Sequence, residues 1–290
     1  MNKEIKHTDH VHFSEKTESM IGRRQIKWNK SKEQIWMELQ NRMETEPVAR
    51  SISLDRPWLR VAIAAGIALL MGISAFIGFY AKTVNVPAGQ HAEINFPDNS
   101  RASLNAQSTI SYKPFLWKIS RTVKFEGEAF FEVTKGKEFE VVSEKGKTVV
   151  LGTTFNIYSR NSDYQVTCLS GKVIVVEPGG SRGVTLDPGQ QAALSYDGRL
   201  AIQSGIDTDR IVSWLDNKLS FTSAPLRKVF EEIGRQYGVV ITITENLEKT
   251  YTGTFVKDSS VENVLNLVCR PFNLNFTPRS DYEYTITRNK

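Results

Sequence analysis

The stretch VAIAAGIALLMGISAFIGFYA, from Val61 to Ala81, is 21 residues without a formal charge, and its reading divides the chain. At ~1.5 Å per residue a helix of that length covers about 30 Å, the thickness of a bilayer's hydrocarbon core. Trp58 and Tyr80 stand at its two ends, where amphipathic rings favour the membrane interface. Arg50, Arg56 and Arg60 precede it while only Lys82 follows closely, so the positive-inside rule places the N-terminus in the cytosol. A soluble core seldom offers a helix that is apolar all round. A cleaved signal peptide would start earlier and end on an A-x-A-like site, which is not evident here. Ala62/Gly66, Ala68/Gly72 and Ser74/Gly78 have the small-xxx-small spacing that lets two helices approach closely.

The charge balance is read on either side of this span. The chain has 290 residues and a net charge of +5, from 37 Lys and Arg against 32 Asp and Glu. Residues 1–60 hold 12 basic and 9 acidic side chains; residues 82–290 hold 25 and 23. Neither side is basic enough to argue for direct nucleic-acid binding. Two cysteines, Cys168 and Cys269, exclude a disulfide-rich scaffold. They lie 101 residues apart in separate β-rich and α/β segments and are expected as free buried thiols.

Before the span, His7, His10 and His12 sit in a polar tail where nothing fixes a metal geometry. Residues 31–45 have a helical rhythm. Ser31 and Gln34 have the spacing of a capping box, and Ile35, Trp36, Leu39 and Met43 fall on one face, with Trp28 one heptad before Ile35. Pro47 ends the pattern. So short a helix is marginal alone in water, which calls for a cytosolic protein partner or the membrane surface.

Beyond the span, residues 83–202 read as short strands separated by turn chemistry. Arg101–Leu104, Arg121–Phe125, Ala129–Val133, Phe139–Ser143, Thr153–Tyr158, Val173–Val176 and Gln190–Leu194 are examples. Pro97-Asp-Asn-Ser, Glu126-Gly-Glu, Ser170-Gly-Lys and Asp187-Pro-Gly read as the breaks between such strands. Strands of about five residues at this spacing indicate an all-β sandwich, barrel or solenoid. Val123, Phe125, Phe155 and Ile157 alternate toward a core, while Glu126, Glu128 and Glu132 fall on one solvated strand face. A polar connection anchored by Trp214 follows. The order β-α-β-β-α-β-β then fills residues 218–290, with helices over Ala224–Tyr237 and Val261–Cys269. Gly238 stops the first of these helices.

Five blocks in order, FPDNSRASLNAQSTISY (96–112), RTVKFEGEAFFEV (121–133), VVLGTTFNIY (149–158), VTCLSGKVIV (166–175) and LDPGQQA (186–192), resemble the periplasmic domain of FecR-type transmembrane anti-sigma factors. The C-terminal part resembles the domain that follows it in Bacteroidota proteins, itself similar to the short N-terminal domains of secretins and TonB-dependent receptors. Asn99 stands where that family has glycine; asparagine tolerates positive φ, so the turn is expected to survive.

The resemblance implies a domain order: a sigma-factor-binding cytosolic arm (1–57), a transmembrane helix (58–81), an all-β periplasmic domain, sandwich or solenoid-like (82–205), a linker (206–217) and an α+β signalling module (218–290). It implies an inner-membrane regulator whose arm binds an extracytoplasmic-function sigma factor through Trp28, Ile35, Trp36, Leu39 and Met43. Trp58, Arg60 and Tyr80 would anchor it in the lipid bilayer. It further implies that the outer part contacts the periplasmic signalling domain of a TonB-dependent receptor, with release by an intramembrane protease.

No catalytic set stands out in the residues themselves. Only His91 lies beyond the span, so a Ser-His-Asp triad would rest on that one ring. No Cys/His set has zinc spacing, and no phosphate-binding loop is present, so neither cofactor nor metal is expected. The competing class is a membrane-anchored, β-rich envelope structural or glycan-binding protein, which leaves the amphipathic arm without a role.

Overall fold

The computed structural model of the chain describes residues 29–44, 57–180, 182–244, 247–257 and 260–289. They fall into two compact units that divide between Ala65 and Gly66. Two helices come first, α1 (Lys32–Glu44) and α2 (Pro57–Phe79). Thirteen strands follow. The first are β1 (Lys82–Val86), β2 (Ala92–Asn95), β3 (Arg101–Leu104), β4 (Ser108–Tyr112), β5 (Arg121–Glu132) and β6 (Phe139–Ser143). The next are β7 (Gly146–Val150), β8 (Thr154–Arg160), β9 (Asp163–Ser170), β10 (Val173–Val176), β11 (Gly183–Leu186), β12 (Gln190–Leu194) and β13 (Leu200–Ser204).

All 13 strands belong to one sheet, and β5 holds it together. The first half of β5 pairs with β4 and β6; its second half pairs with β3 and β8. One leaf therefore runs β1-β4-β5-β6-β7-β10-β11, the other β2-β3-β5-β8-β9-β12-β13. The pairing forces a bend. Arg121 at the start of β5 is level with Phe139, which the chain reaches only seven residues after Glu132. Seven residues extend at most ~25 Å, whereas a straight β5 would be about 36 Å long. The strand must fold over, and it changes leaf at Gly127, whose φ is +120°.

Both leaves turn their apolar faces onto one core. Val123, Phe125, Ile110, Val141 and Leu186 come from the first leaf, and Leu104, Phe131, Phe155, Ile157 and Val166 from the second. Phe131 stacks on Phe155 with ring centroids 5.1 Å apart. The edge strand β11 lies against β12 and β13, so the bent sheet nearly closes like a barrel, one of the three forms, with sandwich and solenoid, that the strand spacing allows. The Pro97-Asp-Asn-Ser turn survives with Asn99 at φ +64°. Asp98 in that turn grips the buried Arg121 guanidinium at 2.6 Å and accepts from Ser100. Burial raises the Asp98 carboxyl's pKa, but Arg121 and Ser100 outweigh it and hold the group below its usual range.

Residues 206–217 are more ordered than a plain connection, with α3 (Thr208–Ile211), a short 3-10 turn and buried Trp214. Then come β14 (Lys218–Pro225), α4 (Leu226–Tyr237), β15 (Val240–Ile243), β16 (Thr250–Val256), α5 (Val261–Cys269), β17 (Leu274–Ser280) and β18 (Glu283–Arg288). The helix α4 starts two residues later than its pattern suggests, because Pro225 ends β14 and sits just before it. Strands β14 and β16 form one ribbon; β15, β18 and β17 form a second sheet with β15 parallel to β18. Leu226, Val229, Phe230 and Ile233 of α4 meet Val264, Leu265 and Val268 of α5 in a second core. Cys168 and Cys269 are free and buried, one in each core.

Two sequence expectations fail at the same place. Glu126-Gly-Glu is no break between strands but the middle of β5. Glu128 is buried, although Glu126 and Glu132 are exposed, because α4 covers that stretch of the second leaf. A Cβ at position 127 would lie 2.3 Å from Ser108 Oγ and 2.6 Å from Ser108 Cα. Gly127→Ala is therefore expected to destabilise the fold by at least ~2 kcal/mol through strain and overpacking. The check is the thermal midpoint of the full chain in detergent; an unchanged midpoint would refute the bend's dependence on glycine.

Candidate functional site

Helix α1 is built as its sequence predicts. Ser31 N–H donates to Gln34 Oε1 at 3.0 Å and Gln34 N–H to Ser31 Oγ at 3.2 Å, a reciprocal capping box. At 100° per residue, Ile35, Leu39, Met43 and Trp36 occupy an arc of about 100°. Trp36, Leu39 and Met43 are exposed, and Ile35 is half-buried. Met37 is exposed as well, on a neighbouring line of the helix that the periodicity had passed over. Trp28 lies outside the described residues, as do His7, His10 and His12. Four large apolar side chains of this one helix are therefore exposed.

Helix α2 runs 23 residues with none buried, and it is long and apolar enough to cross a membrane. Trp58 and Arg60 are exposed at its N-terminal end. Tyr80 closes the other end, its N–H donating to the Phe76 carbonyl at 2.8 Å.

The third site was hidden from sequence reasoning and lies where α4 meets the bent sheet. Glu128 Oε2 accepts from Asn105 Nδ2 at 2.8 Å, and Oε1 from Asn156 Nδ2 at 3.1 Å. Asn105 Oδ1 in turn accepts from Gln236 Nε2 of α4 at 2.6 Å. Gln236 also donates to Glu232 Oε1 at 2.8 Å and pairs through Oε1 with His91 Nε2 at 3.1 Å. The backbone joins in, since Gly89 N–H donates to the Arg235 carbonyl at 2.8 Å. At the rim, Lys228 meets Asp163 at 2.6 Å. A cleft of about 250 Å³ opens here, lined by Glu128, Tyr158, Asp163, Lys228, Glu232 and Arg235 among others.

A buried carboxylate, Glu128, and a half-buried one, Glu232, share this site with two guanidinium groups, unequally. Arg235 holds Glu232 directly at 2.8 Å. Arg160 spends its hydrogen bonds on the Ala106 and Gln107 carbonyls, at 2.5 and 2.7 Å. Glu128 has only amide donors. Burial, and then the charge on Glu232, push its carboxyl up to about 7, with Arg160 and the two amides acting against the rise. Burial raises Glu232 too, but Arg235 and Arg160 bring it below its ordinary value. The arrangement can take up or release a proton near neutrality at the junction of the two modules. Nothing in FEGEAFFE marks Glu128 apart from Glu126 and Glu132; the difference comes from a helix about a hundred residues away. Among the described residues no three His, Cys, Asp or Glu side chains converge on a metal position.

Comparison with known proteins places these elements. Residues 82–174 match the family model described as FecR protein, and residues 218–286 the model described as FecR, C-terminal. Two crystal structures of a proposed anti-sigma factor from Parabacteroides distasonis ATCC 8503 have the same fold. One aligns with a TM-score of 0.67 and 23% identity over 73% of this chain and 100% of its own. The other gives 0.66 and 24% over 72% and 100%. No curated protein matches the chain.

The Glu128 carboxyl has a folded value near 7 against an ordinary 4.5. Below about 4.5 it is protonated folded or unfolded and costs nothing; above ~7 the folded state bears the full cost of the buried charge. Stability is thus expected to fall as pH rises through that window, by on the order of 2 kcal/mol. Glu128→Gln keeps the shape and removes the charge, and it should flatten this part of the profile. Unfolding midpoints of both full-length chains between about pH 5 and 8 decide it; parallel profiles would sink the assignment.

Proposed function

Because the chain belongs to the FecR family, whose two models together match more than half of it, we propose that it is a single-pass membrane regulator of a sigma factor. In this reading α2 anchors the protein in the inner membrane with its N-terminus in the cytosol, the orientation favoured by Arg50, Arg56 and Arg60. The arm carries α1, whose Ile35, Trp36, Leu39 and Met43, extended by Trp28, bind an extracytoplasmic-function sigma factor. The β domain and the α+β module stand in the periplasm and receive a signal from a TonB-dependent receptor's signalling domain. A regulator of this kind works by binding, not by catalysis. Proteolysis ending within the membrane would free the arm.

The observation that carries the reading is the exposed apolar arc of α1 on the N-terminal side of the one candidate span among the described residues. An adhesive or glycan-binding ectodomain has no use for such a helix. The β-edges of the C-terminal module suit strand addition by a receptor segment, since an unpaired ladder edge offers backbone donors and acceptors.

Trp36→Asp with Leu39→Asp removes two anchors of the arc and puts two charges on it, while the capping box stays intact. The full-length double variant is expected to bind the sigma factor at least tenfold more weakly than the wild type, as burying two large apolar anchors supplies more than 1.4 kcal/mol. Co-purification from detergent with each sigma factor of the cell, followed by transcription of the target promoters, provides the measurement. Failure of the wild-type chain to bind any sigma factor would end the proposal.

A further inference from the structure

Between β4 and β5 the chain makes a loop, Lys113-Pro-Phe-Leu-Trp-Lys-Ile-Ser120, whose side chains split into two sets. Trp117 points inward and is buried, stacked on Phe96 at 4.9 Å and set edge-on to Tyr112 and Phe139. Phe115 and Ile119, two positions to either side, are 55% and 78% exposed. A loop pinned to the core by one indole and holding two large apolar residues in the open is costly in water, unless something covers them.

The same loop is tied to the last turn of α2. Lys113 Nζ donates to the Gly78 carbonyl at 2.7 Å, meeting one of the carbonyls that a helix C-terminus leaves without an internal partner. The Phe115 ring lies 6.2 Å from Phe76 and 5.3 Å from Tyr80, and those two rings are 5.3 Å apart. Phe76 belongs to the apolar helix itself. If α2 crosses the bilayer, a ring against its last turn sits where the acyl chains meet the headgroups. Lys113 and Lys118 belong to the loop itself, Lys82 is level with Tyr112 at its base, and Lys137 donates to the Lys118 carbonyl. Apolar tips on a loop that carries and adjoins lysines suit an anionic lipid surface.

We propose that residues 113–120 form a membrane-contacting element, with Phe115 and Ile119 inserted into the interface of the leaflet in which α2 ends. The β domain then rests on the bilayer through two attachments, the span and this loop, which fixes its orientation. The inference rests on α2 spanning the membrane and goes beyond it.

The test uses the full chain in vesicles of phosphatidylethanolamine and phosphatidylglycerol, with single cysteines carrying an environment-sensitive fluorophore. Cys168 and Cys269 are buried, so the wild-type chain serves as the labelling blank. Phe115→Cys and Ile119→Cys alter only exposed side chains. Phe79→Cys marks the end of the span, and Tyr196→Cys, fully exposed on the β12–β13 turn, is the aqueous reference. Lipids brominated near the headgroup end of the acyl chain are expected to quench the labels at 115 and 119 at least half as strongly as the label at 79. The label at 196 should be left unaffected. Quenching at 79 but not at 115 or 119 would overturn the proposal and leave the span standing, whether those labels are open to aqueous iodide or shielded from it by a second protein. Absence of quenching at 79 would remove the span and this inference with it.

Discussion

The β-rich domain that follows α2 depends on one strand serving two leaves of a sheet. β5 can do so because Gly127 brings no Cβ against Ser108 and accepts a φ of +120°. A sheet bent this way needs no separate second sheet to close its core, since its own two halves face each other across Phe125, Phe131 and Phe155. It also explains how two parallel neighbours, β5 and β6, are joined without the long crossover that parallel pairing ordinarily requires.

The bend has a second effect one residue further on. Just past Gly127, at Glu128, the face of β5 away from the core is covered by α4, while Glu126 before it and Glu132 beyond it stay open to water. Glu128 therefore meets the Asn105 and Asn156 amides instead of solvent, and the polar contacts between the sheet and α4 are drawn around it. The pairing is selective. Arg235 takes Glu232 from its own helix, one turn away, leaving Glu128 as the group whose charge is poorly met. Buried polar groups of this kind specify a docking geometry more than they strengthen it, since misalignment would leave several of them unsatisfied.

Much of this was legible from the amino acids, and the reasons are local. Phe139–Ser143, Val173–Val176, Gln190–Leu194 and Val261–Cys269 have the bounds their patterns give, because alternation and helical spacing are short-range signals. The capping box of α1 and the positive φ of Asn99 follow from side-chain chemistry within four residues. What escaped was non-local. Glu126-Gly-Glu looks like turn chemistry, and only the partners on both sides of it, β4 and β3, make it a continuous strand. Glu128 looked solvated because alternation identifies the face of a strand but not what will later cover it. Lys113 and Gly78 meet across 35 residues, a separation at which no periodicity speaks.

The span between Asn105 and Gln236 has a consequence in time. The two amides that close the Glu128 site are 131 residues apart. A ribosome adding ~5–20 residues per second needs roughly 7–26 s to deliver the second after the first. Through that interval the carboxyl has no helix above it, stands in water and ionises as any glutamate does. When α4 docks over it, burial raises the carboxyl's affinity for a proton, to about half occupancy near neutral pH. Docking of α4 is therefore coupled to partial proton uptake from the compartment in which it happens.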